Sequence, residues 1–270
     1  DTLVREGLDV LFAVGGDGTL RGAHAIQQEV ARRGLPIAVV GVPKTIDNDV
    51  AFVDRTFGFE TAVEVATLAL DAAHAEALSA RNGIGLVKLM GRDAGFIAAH
   101  AALACADVNF CLVPEVPVAL HGARGLLAAL TTRLAERGHA LIVVAEGCAD
   151  ALVNAPGARD ASGNVRYGSG GLDVAPFLRD AIAAHFAACG TPTTLKVIDP
   201  SYMIRGVRAN ANDSIFCDQL ARHAVHAAMA GKTDLVIGRR HGVFVHVPIE
   251  VAISAKKRID PDGALWLAVT

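Results

Sequence analysis

Short apolar runs and longer amphipathic stretches alternate along this chain. The apolar runs predict strands, and the first of them, which is rich in branched residues, predicts a buried strand. The stretches with apolar residues three or four positions apart predict helices. The predicted strands are 9–14, 36–42, 84–89, 109–113, 140–145, 194–198, 234–237 and 243–247. The predicted helices are 19–33, 59–80, 94–106, 124–137, 172–189 and 213–230. Repeated strand–helix units predict an α/β fold with mostly parallel sheets covered by helices.

The composition is typical of a folded globular protein. Of 270 residues, 52% are hydrophobic and 20% are charged, and the formal net charge is -3. These values exclude disorder and argue against a nucleic-acid partner. No apolar run is long enough to cross a membrane, and the five cysteines include no CxxC pair, so we expect a reduced cytoplasmic protein. Residues 150–171, rich in Gly, Ala, Asn and Ser, predict a surface loop.

The string GGDGT, residues 15–19, separates the first predicted strand from the helix that follows it. Glycines let the backbone approach phosphate oxygens, and a helix N-terminus favours an anion. Asp17 could hold a Mg²⁺ ion that bridges phosphates. The alternative is a tight turn in which Asp17 and Thr19 cap the helix. The residues alone leave both interpretations open.

The string PKTIDND, residues 43–49, follows the second predicted strand. In an extended segment Asp47 and Asp49 point to the same side, so that one carboxylate can act as a base while the other holds metal or water. Lys44 supplies positive charge for a transferring phosphoryl group. The alternative is an Asx-rich surface turn. The density of Asp, Asn, Thr and Lys at one strand end favours chemistry.

Six motifs occur in the order in which 6-phosphofructokinases carry them. They are GGDGT at 15–19, PKTIDND at 43–49, MGR at 90–92, PE at 114–115, AEG at 145–147 and Lys-x₅-Tyr-x₂-Arg at 196–205. The chain resembles that family over nearly its whole length. GGDGT also recurs in NAD kinases and diacylglycerol kinases, which the order of all six motifs excludes. Together with DPSYMIR, residues 199–205, the motifs most resemble the plant and trypanosome type, which uses ATP.

The resemblance implies transfer of a phosphoryl group from Mg²⁺-ATP to the 1-hydroxyl of fructose 6-phosphate, with Mg²⁺ as the cofactor. Asp47 would be the base, with Lys44 and Thr45 at the transferring group, and Asp17 and Asp49 would serve the metal. The nucleotide would contact Gly15, Gly16, Gly18 and Thr19. The sugar phosphate would contact Thr45, Asp47, Met90, Gly91, Arg92, Glu146, Lys196, Tyr202 and Arg205. In the family a neighbouring subunit supplies some basic groups, here Lys196, which implies a homodimer or homotetramer.

The phosphoryl donor is the least settled part of this expectation. Glycine at position 18 leaves room for the α-phosphate of ATP, whereas an aspartate there accompanies pyrophosphate use in the family. Lys44 points to pyrophosphate, because bacterial ATP-dependent members carry glycine at that position. A pyrophosphate-dependent enzyme therefore stays open. A second alternative, a catalytically silent regulatory subunit that binds sugar phosphate, also stays open, because the first phosphate loop of the family has no counterpart here.

The resemblance also implies two Rossmann-like lobes. The nucleotide lobe would comprise residues 1–58 and 205–258, and the sugar-phosphate lobe residues 59–204 and 259–270. Family members begin with a strand and a Gly-rich loop that have no counterpart here, so we expect an incomplete nucleotide lobe with an exposed sheet edge. The basic run 256–258, Lys-Lys-Arg, predicts a charged surface segment.

Overall fold

The computed structural model describes residues 1–153, 167 and 173–270, in which helices and strands alternate. The strands are β1 (Val10–Gly15), β2 (Ala38–Pro43), β3 (Gly83–Leu89), β4 (Phe110–Leu112), β5 (His139–Ala145), β6 (Thr194–Ile198), β7 (Leu235–Arg240) and β8 (Val243–Pro248). The helices are α1 (Thr2–Arg5), α2 (Asp17–Arg32), α3 (Phe59–Leu78), α4 (Phe96–Ala104), α5 (Leu126–Arg137), α6 (Ala149–Leu152), α7 (Val174–Ala188), α8 (Ser201–Gly206), α9 (Ala211–Met229), α10 (Ile249–Ala252) and α11 (Ala264–Val269). A 3₁₀ turn, Glu146–Cys148, precedes α6. The predicted α/β fold is confirmed.

Residues Asp1–Thr61 and Arg208–Lys257 form a compact unit, called unit 1 below. Its described strands make one sheet in the order β1-β2-β7-β8, parallel except for the antiparallel pair β7–β8. Val39 packs in the cluster beneath α2, and the next residue, Val40, packs in the cluster beneath α9. Because successive strand residues face opposite sides, helices cover both faces of this sheet.

Residues Ala62–Val207 and Arg258–Thr270 form a second compact unit, called unit 2 below. Within its described part the strand order is β4-β5-β3-β6, and the pairs are parallel. Each residue of the central strand β3 is buried. Helices α4 and α5 pack on β5, and α7 packs on β3. A nearly continuous apolar run is typical of a parallel strand covered on both faces, and β3 carries one that only Lys88 interrupts.

The prediction that the first strand is buried is wrong for one of its faces. Phe12 is 40% exposed and Val14 is 50% exposed, whereas Leu11 and Ala13 pack against the cluster beneath α2. β1 lies at the edge of the sheet formed by the described strands, and the helix α9 on the other face packs on β2 and β7. One face of β1 is therefore covered and the other is open in this chain.

Several element boundaries differ from the predicted ones. α2 begins at Asp17, two residues before the predicted start. The predicted loop 150–171 begins inside α6, its residues 154–166 and 168–171 lie outside the described part, and so does Leu172, the predicted start of α7. Helices α6, α8, α10 and α11 were not predicted, because four to six residues are too few to show a helical period. No helix in the ranges described is long and apolar enough to cross a membrane.

Candidate active site

The turn after β1 lies against the start of the PKTIDND segment. Gly15 pairs with Pro43 in parallel register, and the backbone N–H of Lys44 donates to the Gly15 carbonyl at 3.0 Å. A Cβ atom added to Gly16 would stand 3.3 Å from the Cβ of Thr45. The two motifs of unit 1 therefore meet at the carboxyl end of its sheet, where open α/β sheets bind ligands.

Gly15 allows the first turn of α2 to fold back over the end of β1. A Cβ at this position would lie 2.2 Å from Oγ1 of Thr19 and 2.5 Å from its Cβ, which no side chain can tolerate. Gly16 is the N-cap residue, and within the described residues no side chain caps this helix. Asp17 and Thr19 lie inside the helix, so the alternative in which they cap it is wrong. Uncapped first-turn N–H groups are of the kind that favour an anion.

Asp17 supplies the carboxylate oxygens of this turn that could bind a metal ion. Its carboxylate accepts a hydrogen bond from Arg21 Nε at 2.9 Å, and Arg21 also donates to the carbonyl of Ile253 at 2.9 Å. In the part of the chain that the structure describes, no group of three or more His, Cys, Asp or Glu side chains could hold a metal ion. Mg²⁺ is commonly bound by one or two carboxylates together with substrate phosphates. The oxygen chemistry of Asp17 fits that mode, in which substrate phosphates supply further ligands.

The segment carrying Asp47 and Asp49 is bent, so the prediction of an extended segment with both carboxylates on one side is wrong in its premise. Asn48, between them, has a φ of +54°, in the left-handed region that Asn tolerates better than most residues. Asp49 is buried, with 7% exposure, whereas Asp47 is half-buried. The N–H of Asp47 donates to Oγ1 of Thr45 at 3.1 Å, which closes the bend.

Two residues outside the motif hold this bend, and sequence reasoning missed both. Thr56 is fully buried; its N–H donates to Oδ1 of Asn48 at 3.1 Å and its hydroxyl donates to the carbonyl of Thr45 at 2.7 Å. The ammonium of Lys257 also donates to Oδ1 of Asn48, at 2.9 Å. The prediction that Lys257 belongs to a charged surface segment is therefore wrong. A basic run is usually solvated, so the sequence carries no signal for this contact.

In unit 2 the neighbouring strands β3 and β5 end side by side and present MGR and AEG together. Leu89 pairs with Ala145, and the next residue after Ala145, Glu146, accepts a hydrogen bond from the Arg92 N–H at 2.9 Å. A Cβ on Gly147 would lie 2.1 Å from the Arg92 carbonyl, so glycine lets the two loops touch. Burial raises the pKa of the Glu146 carboxyl, although the backbone hydrogen bonds oppose the rise.

Tyr202 and Arg205 lie three positions apart on the exposed side of α8, which the buried Ile204 anchors. Tyr202 is 92% exposed, and Arg205 is close enough to Glu146 for its charge to oppose the rise in that pKa. Lys196 lies elsewhere, in the middle of β6, with its ammonium 3.8 Å from Oε1 of Glu76. The structure thus associates Arg205 with Glu146 and places Lys196 before the end of its strand.

A buried lysine forms ion pairs with two carboxylates, one of them just before α8, and sequence reasoning missed its role. Lys88, 5% exposed, places its Nζ 2.8 Å from Oδ2 of Asp199 and 3.2 Å from both carboxylate oxygens of Asp173. Burial alone would lower the pKa of Lys88, but the two carboxylates raise it. Asp199 also accepts hydrogen bonds from the N–H and the hydroxyl of Ser201, the first residue of α8. The sequence signal for this role is a lysine within an otherwise apolar predicted strand.

Glu115, of the PE motif, has a structural position in this chain. Its Oε1 accepts hydrogen bonds from the N–H of Gly95 at 3.0 Å and from the N–H of Ile259 at 3.1 Å. Gly95 is the N-cap residue of α4, so a carboxylate at this place also complements the helix dipole. Glu115 thereby ties the start of α4 to the C-terminal segment of unit 2.

The mostly parallel sheets, covered by helices and carrying a glycine-rich strand–helix turn, define an α/β protein. Residues 1–228 match the family model described as Phosphofructokinase, and the chain belongs to that family. It is 49% identical to the ATP-dependent 6-phosphofructokinase of Borreliella burgdorferi, over 98% of this chain and 60% of that protein. It is also 49% identical to the enzyme of the same name from Trypanosoma brucei brucei, over 100% of this chain and 54% of that protein.

The predicted resemblance to 6-phosphofructokinases, trypanosome members included, is confirmed. This chain spans about half to three-fifths of the length of these relatives. Among solved structures, it is similar to a pyrophosphate-dependent phosphofructokinase from Marinobacter aquaeolei, with a TM-score of 0.74 and 24% identity over 98% of this chain and 65% of that chain. At that identity the likeness supports the fold alone.

Proposed function

We propose that this chain carries the phosphoryl-transfer site of an ATP-dependent 6-phosphofructokinase. The reaction moves the terminal phosphoryl group of Mg²⁺-ATP to the 1-hydroxyl of fructose 6-phosphate and yields ADP and fructose 1,6-bisphosphate. The observation that carries the proposal is the contact between the Lys44–Asp49 bend and the uncapped, glycine-rich start of α2. The names of the two relatives, which specify ATP dependence, support the choice of donor.

In the proposed reaction the groups of unit 1 act on the transferring phosphoryl group. Asp47 accepts the proton of the sugar 1-hydroxyl while the oxygen–phosphorus bond forms and the bond to ADP breaks. The exposed ammonium of Lys44 and the first-turn N–H groups of α2 stabilise the negative charge of the phosphates. A Mg²⁺ ion held by Asp17 and Asp49 together with phosphate oxygens would neutralise part of that charge.

The groups of unit 2 hold the sugar phosphate in this proposal. Glu146 accepts hydrogen bonds from sugar hydroxyls beside Met90, Gly91 and Arg92. Tyr202 and Arg205 bind the 6-phosphate from the exposed side of α8. Lys196 serves the site of a second copy in a homodimer or homotetramer, which its exposed position on the edge strand β6 supports.

A cytoplasmic location belongs to the same proposal. All five cysteines are free, which supports a reducing compartment.

The test is a coupled assay of fructose 1,6-bisphosphate formation by the full-length gene product. We expect ATP-dependent turnover that Asp47→Asn lowers by about 10²- to 10⁴-fold, because the variant has no carboxylate to take the proton. Asp218→Asn, an exposed change on α9, is the matched control and should leave turnover unchanged. Full activity in the Asp47→Asn variant would remove Asp47 from the mechanism.

A second series decides the donor. Gly18 is exposed in the first turn of α2, so an aspartate there would place bulk and negative charge where the nucleotide phosphates bind. We expect Gly18→Asp to lower kcat/KM with ATP at least about 10-fold more than with pyrophosphate, since lost steric room acts on the larger donor. Equal losses would refute the steric explanation.

Two outcomes, one from the turnover assay and one from a binding measurement beside it, would support the alternatives. A preference of the unaltered protein for pyrophosphate would favour the pyrophosphate-dependent enzyme, which Lys44 suggests. Binding of fructose 6-phosphate without turnover on either donor would favour the silent regulatory subunit.

A further inference from the structure

Lys257 enters the bend of the proposed active site from a distant part of the sequence. It lies 209 positions after Asn48, yet its ammonium donates to Oδ1 of Asn48 at 2.9 Å. The same ammonium donates to the carbonyls of Val53 at 3.0 Å and Asp54 at 2.9 Å. Its backbone N–H donates to the carbonyl of Asp49 at 2.9 Å. One residue thus contacts both the backbone and a side chain of the segment that carries the two carboxylates.

Asn48 transmits this contact to Asp47. Its side chain is buried, and its Oδ1 receives both the Lys257 ammonium and the N–H of Thr56. Its left-handed φ sets the direction in which the chain enters from Asp47 and leaves toward Asp49. A residue held in this region persists when surrounding contacts determine it. Removing the ammonium leaves the Asn48 amide with a single one of these two donors and frees the bend to move.

In the described part of the chain, the carboxylates of Asp54 and Asp49 act on Lys257, and both favour its ammonium form. Burial acts more strongly and lowers the pKa of Lys257 to about 8. The role of Lys257 depends on its hydrogen bonds to Asn48 and to the carbonyls of Val53, Asp54 and Asp49.

We propose that Lys257 is a positioning residue for the proposed base: by holding Asn48 and the backbone of Asp49, it fixes the direction of the Asp47 carboxylate. This inference rests on the proposed function. Lys257 itself touches no reacting atom in it. Its effect on catalysis passes through Asn48, so loss of Lys257 should act on kcat, with little change in the KM for either substrate.

The kinetic test compares Lys257→Met, Lys257→Arg and the matched control Lys232→Met, an exposed lysine of unit 1. We expect Lys257→Met to lower kcat by about 10- to 100-fold, since small displacements of a reacting group cost that much, with both KM values within about twofold. Lys257→Arg keeps the charge and should restore part of the rate.

Amide hydrogen exchange of residues 45–50 tests the same inference without turnover. We expect Lys257→Met to speed exchange in this segment while residues 83–89 of unit 2 stay as protected as in the unaltered protein, which excludes general unfolding. Unchanged exchange at 45–50, or an unchanged kcat, would overturn the role of Lys257. An inactive unaltered protein would overturn the proposed function instead, and the exchange result would still decide whether Lys257 holds the bend.

Discussion

Burial acts on two charged residues of the proposed site in opposite directions. It raises the pKa of the Glu146 carboxyl and lowers that of the Lys257 ammonium, because in each case the charged form loses water. Both shifts move the titration toward neutral pH. Neither group is desolvated without compensation, since backbone N–H groups reach Glu146 and carbonyls reach Lys257. Such shifted groups concentrate at functional sites.

The raised pKa of Glu146 leads to a prediction about substrate affinity. Replacing it in Glu146→Gln should raise the KM for fructose 6-phosphate by about 10- to 100-fold, which is the loss of a hydrogen bond to a charged acceptor. As the pH falls through the raised pKa, the unaltered carboxyl takes up a proton and loses the same advantage. The ratio of the two KM values should therefore shrink toward acid pH in steady-state assays.

The variant is its own control for titration of the substrate, because both proteins meet the same 6-phosphate group at each pH. A KM ratio that stays constant across the pH range would show that the charge of Glu146 does not hold the sugar.

At the level of secondary-structure elements, alanine should change stability in opposite directions at two glycines, Gly15 just before α2 and Gly22 within it. In Gly15→Ala the new Cβ meets Thr19, so we expect the free energy of unfolding to fall by about 2 kcal/mol. In Gly22→Ala, in the exposed interior of α2, a Cβ meets nothing within 4 Å, and we expect a gain of about 0.5–1 kcal/mol from reduced freedom of the unfolded chain. Thermal unfolding followed by circular dichroism measures both changes.

Gly22→Ala is the matched control, because it makes the same substitution at a position where the added Cβ meets open space. Equal stability of the two variants would contradict the close packing of Gly15 against Thr19.

The long elements were predictable because each carries its own pattern. The buried strand β3 reads as an apolar run interrupted by Lys88. The apolar stripe Leu20, Ala23, Ile26 and Val30 predicted the buried face of α2, although Ile26 is 41% exposed. The bend at Asn48 was not predictable, because its left-handed backbone depends on Thr56 and on Lys257, which is 209 positions away. Motif order located the candidate site residues, but the polar contacts that hold them come from tertiary packing.

At the scale of the whole molecule, the proposed roles separate between the two units. Unit 1 carries the residues proposed to bind the phosphoryl donor, and unit 2 carries Glu146, Tyr202 and Arg205, proposed to bind the sugar phosphate. Each unit has its own sheet and its own buried residues.

This division predicts where each ligand protects the backbone against hydrogen exchange. Fructose 6-phosphate added alone should slow exchange in unit 2, at residues 90–92 and 201–206, because bound loops open less often. A non-hydrolysable ATP analogue added alone should slow exchange in unit 1, at residues 15–19 and 44–49. In the Glu146→Gln variant the sugar phosphate should lose most of its protection while the nucleotide keeps its own. Protection of residues 15–19 by fructose 6-phosphate, with residues 90–92 and 201–206 unchanged, would contradict the assignment of the sugar-phosphate site to unit 2.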